Sequence, residues 1–395
     1  MKLLLLSFYF PPDLSAGSFR MSALLEALLA GLPAGAQIDL VTTQPNRYAT
    51  LQQDAPEVEE RGAARIYRIP LPPHRSGMGD QARAFFAYDR AVARLVRGKR
   101  YDLVFATSSR LMTAFLGARL ARAMHAPLYL DIRDIFVDTL GDVLPGVKGR
   151  LLAPLFAAVE RYTMQSAARI NLVSEGFREY FATRYPSVSL EFFSNGIDDD
   201  FLSVDWRPTT AVPAGGRLRV VYAGNIGEGQ GLHKILPGLV RRAGERYTFT
   251  VVGDGGRRAL LVEELKKAGV TNVRLLSPVP RKQLIELYRD ADVLFLHLND
   301  YPAFAKVLPS KIFEYAATGR PVLAGVGGYA GDFVAREVTN SAVFSPCDAE
   351  GGARALHSLE LGWSPRIEFI QKFSRATITG RFASSLLETC TQSTS

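Results

Sequence analysis

The residues best suited to chemistry lie between Asp292 and Gly328, in the stretch DVLFLHLNDYPAFAKVLPSKIFEYAATGRPVLAGVGG, where Lys306, Ser310, Lys311 and Glu314 fall close together. A buried strand over Val293–Leu298 feeds the loop that carries the lysines. A helix from about Pro309 to Thr318 follows, with Glu314 near its middle and Gly319 just past its end. Pro at the start and Gly at the end is the expected helix asymmetry. A second strand, Pro321–Ala324, then runs into Gly325, Gly327 and Gly328. Ser and Lys at a helix N-terminus, at the carboxyl end of a strand, make a site for an anionic ligand on backbone N–H groups and the positive end of the helix dipole. Two lysines beside it point to a diphosphate. A surface helix with a solvated lysine is the competing explanation.

Two glycine-rich loops have the same character. YAGNIGEGQGL, Tyr222–Leu232, has Gly at 224, 227, 229 and 231, and VVGDGG ends in a loop around Gly253. Glycine backbone lets amides crowd round a phosphate or sugar. The first loop lacks G-K-[ST], so it is not a P-loop. The loop PPDLSAGS after the first strand has only Gly17, too few glycines for a dinucleotide fingerprint, and the dehydrogenase reading loses most of its support there. DIRDIFVD offers Asp131, Arg133, Asp134 and Asp138 at a strand end. Carboxylates in that place could orient an acceptor hydroxyl or act as a base; a structural Arg–Asp pair explains them equally well. SNGIDDDF carries Asp198, Asp199 and Asp200, which could hold a divalent metal, but Asn-Gly is a turn signal and clustered Asp is common in turns, which favours the turn.

These segments need two α/β sheets to position them. At 395 residues the chain exceeds one ordinary core. In the first half, strands at Leu3–Phe10, Ile38–Thr42, Ile66–Ile69, Leu103–Ala106, Leu128–Asp131, Arg169–Val173 and Leu190–Phe193 alternate with helices, the first over Ser18–Ala30 with Ser18 as its cap. Asp205–Gly216 reads as a linker. The alternation restarts at Arg219 and closes with a strand at Ala342–Phe344, and the tail from about Pro365 is helical. The fold class is therefore α/β: two Rossmann-like, doubly wound parallel sheets facing a cleft, which is the default site. Domain boundaries are expected at 1–204 and at 205–364, with the helical tail 365–395 after them.

Composition narrows the function classes. Hydrophobic residues at 47% with 34 Gly fit a globular α/β protein. Cys347 and Cys390 give no disulfide framework, which favours a reducing compartment, and the five histidines show no zinc-ligand spacing. MKLLLLSFYFPPD reads as a first buried strand rather than a signal peptide, and no apolar run is long enough to span a bilayer. The net charge of +8 is concentrated: between Arg61 and Arg150 there are 16 Lys and Arg against seven Asp and Glu. One helix, Gln81–Arg100, carries an apolar stripe (Phe85, Tyr88, Val92, Leu95, Val96) and a basic one (Arg83, Arg90, Arg94, Arg97). That pattern suits an anionic lipid surface, or simply a packed helix with a solvated face.

Together, FYFPPDLSAGSFR, SNGIDDDF, YAGNIGEGQGL, VVGDG, DADVLFL and VLPSKIFEYAATGRPVLAG resemble the retaining glycosyltransferases of family 4, with the GT-B fold, and within them the bacterial O-antigen and capsule branch of WbuB-like N-acetylfucosamine transferases. The resemblance spans nearly the whole chain. It implies that the second domain binds a nucleotide sugar, that the first binds the acceptor, and that the C-terminal helix crosses back to the first. By the same resemblance Glu314 meets the donor ribose, the backbone of Val279 meets the base, Gly17 lies near the donor phosphate and sugar, and Asp134 falls where the reacting sugars sit.

The departures are specific. Lys306 replaces the first glutamate of the family's pair, and Asn225 and Gln230 stand where the family carries the Arg and Lys that bind diphosphate. Cationic duty is therefore expected at Lys306 and Lys311, with Asn225, Gln230, Gly253 and Ser310 completing the donor site and Arg133 and Asp138 on the acceptor. The expected donor is a UDP-sugar and the acceptor a polyprenyl-diphosphate-linked saccharide. No metal cofactor is expected, and the protein is expected on the cytoplasmic face of a membrane. A UDP-sugar epimerase and a non-catalytic sugar-binding subunit are the rival readings.

Overall fold

The computed structural model describes residues 1–13, 15–45, 55–72, 78–108, 111–135, 147–207 and 216–392, with the side chains at 78, 81 and 147–152 aside. The chain forms two compact units, Met1–Asn195 with Ala376–Ser395, and Gly196–Arg375.

The first unit is built on a sheet of eight strands: β1 Lys2–Leu6, β2 Gln37–Thr43, β3 Val58–Arg61, β4 Ala64–Ile69, β5 Leu103–Thr107, β6 Leu128–Ile132, β7 Arg169–Leu172 and β8 Ser189–Glu191, in the order β3-β4-β2-β1-β5-β6-β7-β8. All pairings are parallel except β3–β4. Strand β1 is an unbroken apolar run with Leu3, Leu4, Leu5 and Leu6 fully buried, as a strand covered on both faces requires. The order reverses beside β1, so the loop after it, with Gly17 beyond, opens at a topological switch point. β3 is absent from the sequence reading because VEER has no apolar alternation; it is an edge strand held by its antiparallel partner.

The basic helix runs over Met78–Leu95. Phe85, Tyr88, Val92 and Val96 are buried, while Arg83, Arg90, Arg94 and Arg97 are exposed, and Phe86 stands 61% exposed on the same side as the arginines. The C-terminal helix, Arg375–Gln392, belongs to this unit from Ala376 onward. It buries Phe382, Leu386 and Cys390 in the core, with the Phe382 ring stacked 5.1 Å from Phe193.

Asp131, offered by the sequence as a possible acid or base, is structural. Its carboxylate takes Nε and Nη2 of Arg20 at 3.1 and 3.0 Å and Nδ2 of Asn171 at 2.6 Å. The Arg20 fork also donates to the carbonyls of Ser194 (2.6 Å) and Phe193 (2.7 Å), and lies over the Phe382 ring. Both charged side chains are 2% exposed. Burial alone would raise the Asp131 carboxyl, but Arg20, Arg133 and Asn171 together hold it below its ordinary value.

The second unit has six parallel strands: β9 Leu218–Ala223, β10 Tyr247–Val252, β11 Val273–Leu276, β12 Val293–His297, β13 Val322–Gly325 and β14 Ser341–Phe344, in the order β11-β10-β9-β12-β13-β14. Helices at Gly328–Glu337 and Ala349–Ser358, missed in the sequence because both begin among glycines and charges, complete its layers. The unit starts at Gly196, upstream of the expected boundary, and ends at Arg375, beyond it. Phe201 and Trp206 are core residues here, so the expected linker opens with a packed tryptophan; residues 208–215 of that linker lie outside the described residues. Ile197 bridges to Ser374, which sets the first and last residues of the unit side by side.

Removing one member of a buried ion pair leaves the other uncompensated, at a cost of roughly 3–5 kcal/mol. Arg20→Ala is accordingly expected to lower the urea midpoint of the first unit by that order of stability. A loss below about 1 kcal/mol, the range of exposed pairs, would show that the pair does not hold this unit together.

Candidate functional site

In the second unit the strand order reverses between β9 and β12, and the loops after these two strands carry most of the expected donor residues. The β9 loop is held by its own side chains. Tyr222 Oη donates to the Asn225 carbonyl at 2.8 Å, and Asn225 Nδ2 donates to Gln230 Oε1 at 2.9 Å. The loop interlocks with the one after β10: Gly224 N–H meets the Val252 carbonyl at 2.9 Å and Ile226 N–H the Asp254 carbonyl at 2.8 Å. Gly253 (φ +149°) and Gly255 (φ +156°) make that approach possible, since a Cβ at 253 would lie 1.8 Å from the Gly224 oxygen. These glycines are thus accounted for by loop-on-loop packing.

Lys306 ends the 3₁₀ turn Pro302–Lys306 after β12, and the Phe304 ring of that turn packs against Gly229 of the glycine loop. The expected helix 309–318 is shorter, Lys311–Ala317, and Ser310 occupies its cap position without a side-chain cap bond. Ile312 N–H is donated to the Pro309 carbonyl and Phe313 N–H to that of Ser310, each at 3.2 Å. Two of the amides expected to be open to an anion are therefore engaged, because the helix begins with a tightened turn.

The side chains here form a charge relay. Lys311 Nζ lies 2.7 Å from Glu314 Oε2 and 3.1 Å from Tyr288 Oη. Burial would lower the Lys311 ammonium, yet Glu314 and its neighbours raise it, so it stays charged. Arg281, which the sequence reading overlooked, brings Nη1 to 3.7 Å from Glu314 Oε1, Nη2 to 2.5 Å from Asp198 and Nε to 3.2 Å from Asp200. Arg375 holds the other Asp198 oxygen. Two members of the acidic triplet are thus salt-bridge partners of arginines. Val279, two residues before Arg281, is partly buried against the core of this unit.

Two further residues went unnoticed in the sequence. Glu228 accepts from Tyr301 Oη (2.6 Å) and Arg257 Nε (2.5 Å), tying the glycine loop to its neighbours. His297, fully buried at the end of β12, has Nδ1 2.7 Å from the Gln230 carbonyl and Nε2 3.0 Å from the Cys347 N–H. A carbonyl only accepts and an amide only donates, so the ring is neutral, with its proton on Nδ1. Burial pushes its pKa down to about 4.

In the first unit, Gly17 is near the start of the helix Ala16–Gly31, whose cap is Ser15 rather than Ser18: Ser15 Oγ accepts the Ser18 N–H at 3.1 Å. A Cβ at 17 would lie 3.9 Å from the Arg133 guanidinium carbon, so the structure brings these two expected site residues together. The Arg133 N–H is fixed by Ser108 Oγ at 3.0 Å. Asp134 reaches solvent but is hemmed in by protein atoms, which push its carboxyl up to about 6 against the pull of Arg133. Asp138 lies outside the described residues. Among the described residues, no three His, Cys, Asp or Glu side chains are grouped to hold a metal ion.

Comparison with known proteins matches residues 21–196 to the glycosyl transferase 4-like domain and residues 211–375 to the glycosyl transferases group 1 family. WcaI of Escherichia coli (strain K12), which carries the name of a colanic acid biosynthesis glycosyl transferase, is 28% identical over 284 residues, 66% of this chain and 67% of its own. Among solved structures, sucrose-phosphate synthase from Thermosynechococcus elongatus superposes with a TM-score of 0.69 at 16% identity, covering 99% of this chain and 96% of that one. The Anabaena HepE structure in complex with UDP-glucose gives 0.61 at 17% identity, covering 100% and 98%.

The buried neutral histidine sets a pH dependence. Its folded pKa of about 4 lies below the ordinary 6.5, so the unfolded state binds the proton more readily. Its contribution to stability is complete above pH 6.5 and is lost as the pH falls toward 4, reaching roughly 3 kcal/mol. Denaturation of wild type and His297→Gln between these pH values isolates the effect, and parallel curves would show that His297 is not its source.

Proposed function

We propose that this chain, a glycosyltransferase of the GT-B fold, moves a sugar, an N-acetylated deoxyhexose, from UDP onto a polyprenyl-diphosphate-linked saccharide during cell-surface polysaccharide synthesis. The observation that carries this reading is the convergence of Lys306, Lys311, Glu314 and the glycine loop at the β9/β12 switch of the second unit. The name of the WcaI relative supports a polysaccharide product, and the UDP-glucose of the HepE complex supports a uridine donor.

On this reading Glu314 accepts the ribose hydroxyls, the Val279 backbone meets the base, and Asn225, Gln230 and Ser310 hydrogen-bond the phosphates or sugar. Lys306 and Lys311 offset the charge that builds on the departing diphosphate, which is the largest demand of the reaction. In the first unit Gly17 is the loop glycine near the donor phosphate and sugar, Arg133 and Asp138 hold the acceptor, and Asp134 orients its hydroxyl. With retention at the anomeric carbon, the C1–O bond to phosphate breaks as the acceptor oxygen bonds to C1. The acceptor proton passes to the leaving phosphate oxygen. The lysines supply the charge a divalent ion would otherwise supply, so the reaction proceeds without metal. This is the chemistry of a WbuB-like N-acetylfucosamine transferase.

No helix among the described residues is long and apolar enough to cross a membrane. The exposed Arg83, Arg90, Arg94 and Arg97 with Phe86 among them instead suit peripheral contact with the anionic cytoplasmic leaflet.

Incubation with UDP-sugars, with and without a polyprenyl-diphosphate-saccharide, tests the activity. Acceptor-dependent release of UDP is expected; an altered sugar released without acceptor would replace this reading with an epimerase. Lys306→Ala and Lys311→Ala are each expected to lower kcat by about 100-fold, the scale of one lost charge-stabilising group, and turnover is expected to persist in EDTA. Near-wild-type turnover in the lysine variants would overturn their assignment. Neutralising Arg90, Arg94 and Arg97 together is expected to abolish sedimentation with anionic liposomes, and undiminished binding would overturn the membrane contact.

A further inference from the structure

Arg281 is the first residue of the helix Arg281–Asp290, an unfavourable place for a cation beside the positive end of the helix dipole. Its acidic surroundings offset that. Asp198 and Asp200 grip the guanidinium from the start of the unit, the Phe201 ring lies 4.3 Å beneath it, and Glu314 Oε1 is 3.7 Å from Nη1. The second Glu314 oxygen is taken separately by Lys311 Nζ at 2.7 Å. Each carboxylate oxygen therefore faces one cation: Lys311 hydrogen-bonds Oε2, while Arg281 meets Oε1 as an ion pair beyond hydrogen-bond range, which leaves lone pairs on both oxygens for hydroxyls. Two such acceptors on one rigid plane match two adjacent hydroxyls.

Resting on the donor reading above, we propose that Arg281 is a positioning residue: braced by Asp198 and Phe201, it fixes the plane of the Glu314 carboxylate so that the site selects a nucleotide with an intact vicinal diol. Lys311 alone holds one oxygen and leaves the carboxylate free to turn about that contact. Arg281 supplies the second point. Val279 lies two residues away on the preceding loop, so the same short segment carries the base contact and the brace for the ribose contact. The acidic segment at 198–200, which the transfer reaction itself does not use, acquires a purpose as the anchor of that brace.

Equilibrium binding of uridine diphosphate and of 2′-deoxyuridine diphosphate to the full chain tests this. Wild type is expected to prefer the ribonucleotide by tenfold or more, on the order of one hydrogen bond to a charged acceptor. Arg281→Ala is expected to reduce that preference to within about threefold of unity while leaving affinity for the deoxynucleotide nearly unchanged. Arg281→Lys keeps the charge but cannot span Asp198 and Glu314 together, and should fall between. Asp198 retains Arg375 in both variants, which favours their folding, and thermal melting checks it. An equal loss of affinity for both nucleotides would place Arg281 on the base or phosphate itself, and an unchanged preference in the Lys variant alongside a folded Ala variant would remove the bracing role; either overturns the proposal. Wild type that binds neither nucleotide overturns the donor reading first, and the proposal with it.

Discussion

The buried pair of Arg20 and Asp131 governs the first unit. Arg20 belongs to the helix that follows β1, Asp131 to the end of β6, and the carbonyls of Phe193 and Ser194 to the segment after β8. One guanidinium thus fixes the loop of the first strand, the sheet edge toward β8 and, through Phe382, the C-terminal helix. Two fully desolvated charges are tolerable only because nearly every donor and acceptor is matched. Arg133 and Asp134 lie two and three residues past Asp131, so the pair anchors the strand end from which the residues expected at the acceptor extend.

The second unit solves a similar problem with an open chain of charges rather than a closed pair. Lys311, Glu314, Arg281, Asp198 and Arg375 alternate in sign along it. Such a chain gives each carboxylate cationic partners on more than one side. Lys311 is shared within it, its ammonium meeting both Glu314 and the Tyr288 hydroxyl.

The alternation of apolar strands and amphipathic helices was legible in the sequence, because strands such as LLLL and VLFLH are buried on both faces and leave no ambiguity of period. The edge strand β3 was illegible for the converse reason, since nothing apolar marks it. Lys306, Lys311 and Glu314 could be found because they share one short segment. Arg281 could not: its partner Asp198 is 83 residues away, and only the fold brings them together. Glu228 and Tyr301 are likewise 73 residues apart. The glycine loops carried a signal that was real but double in meaning. Gly253 is required by a neighbouring backbone whether or not a ligand ever approaches it.

Because Ile197 and Ser374 lie side by side, the whole second unit is threaded into the first as an insertion with adjoining ends. The first unit therefore cannot complete its core when its own sheet has been synthesised. Phe382, Leu386 and Cys390, which close that core, leave the ribosome only after every residue of the second unit. During synthesis the order of completion is inverted: the later unit has its last residue, Arg375, in hand first, while the earlier one, with every strand already made, waits with an apolar face uncovered until the final helix arrives.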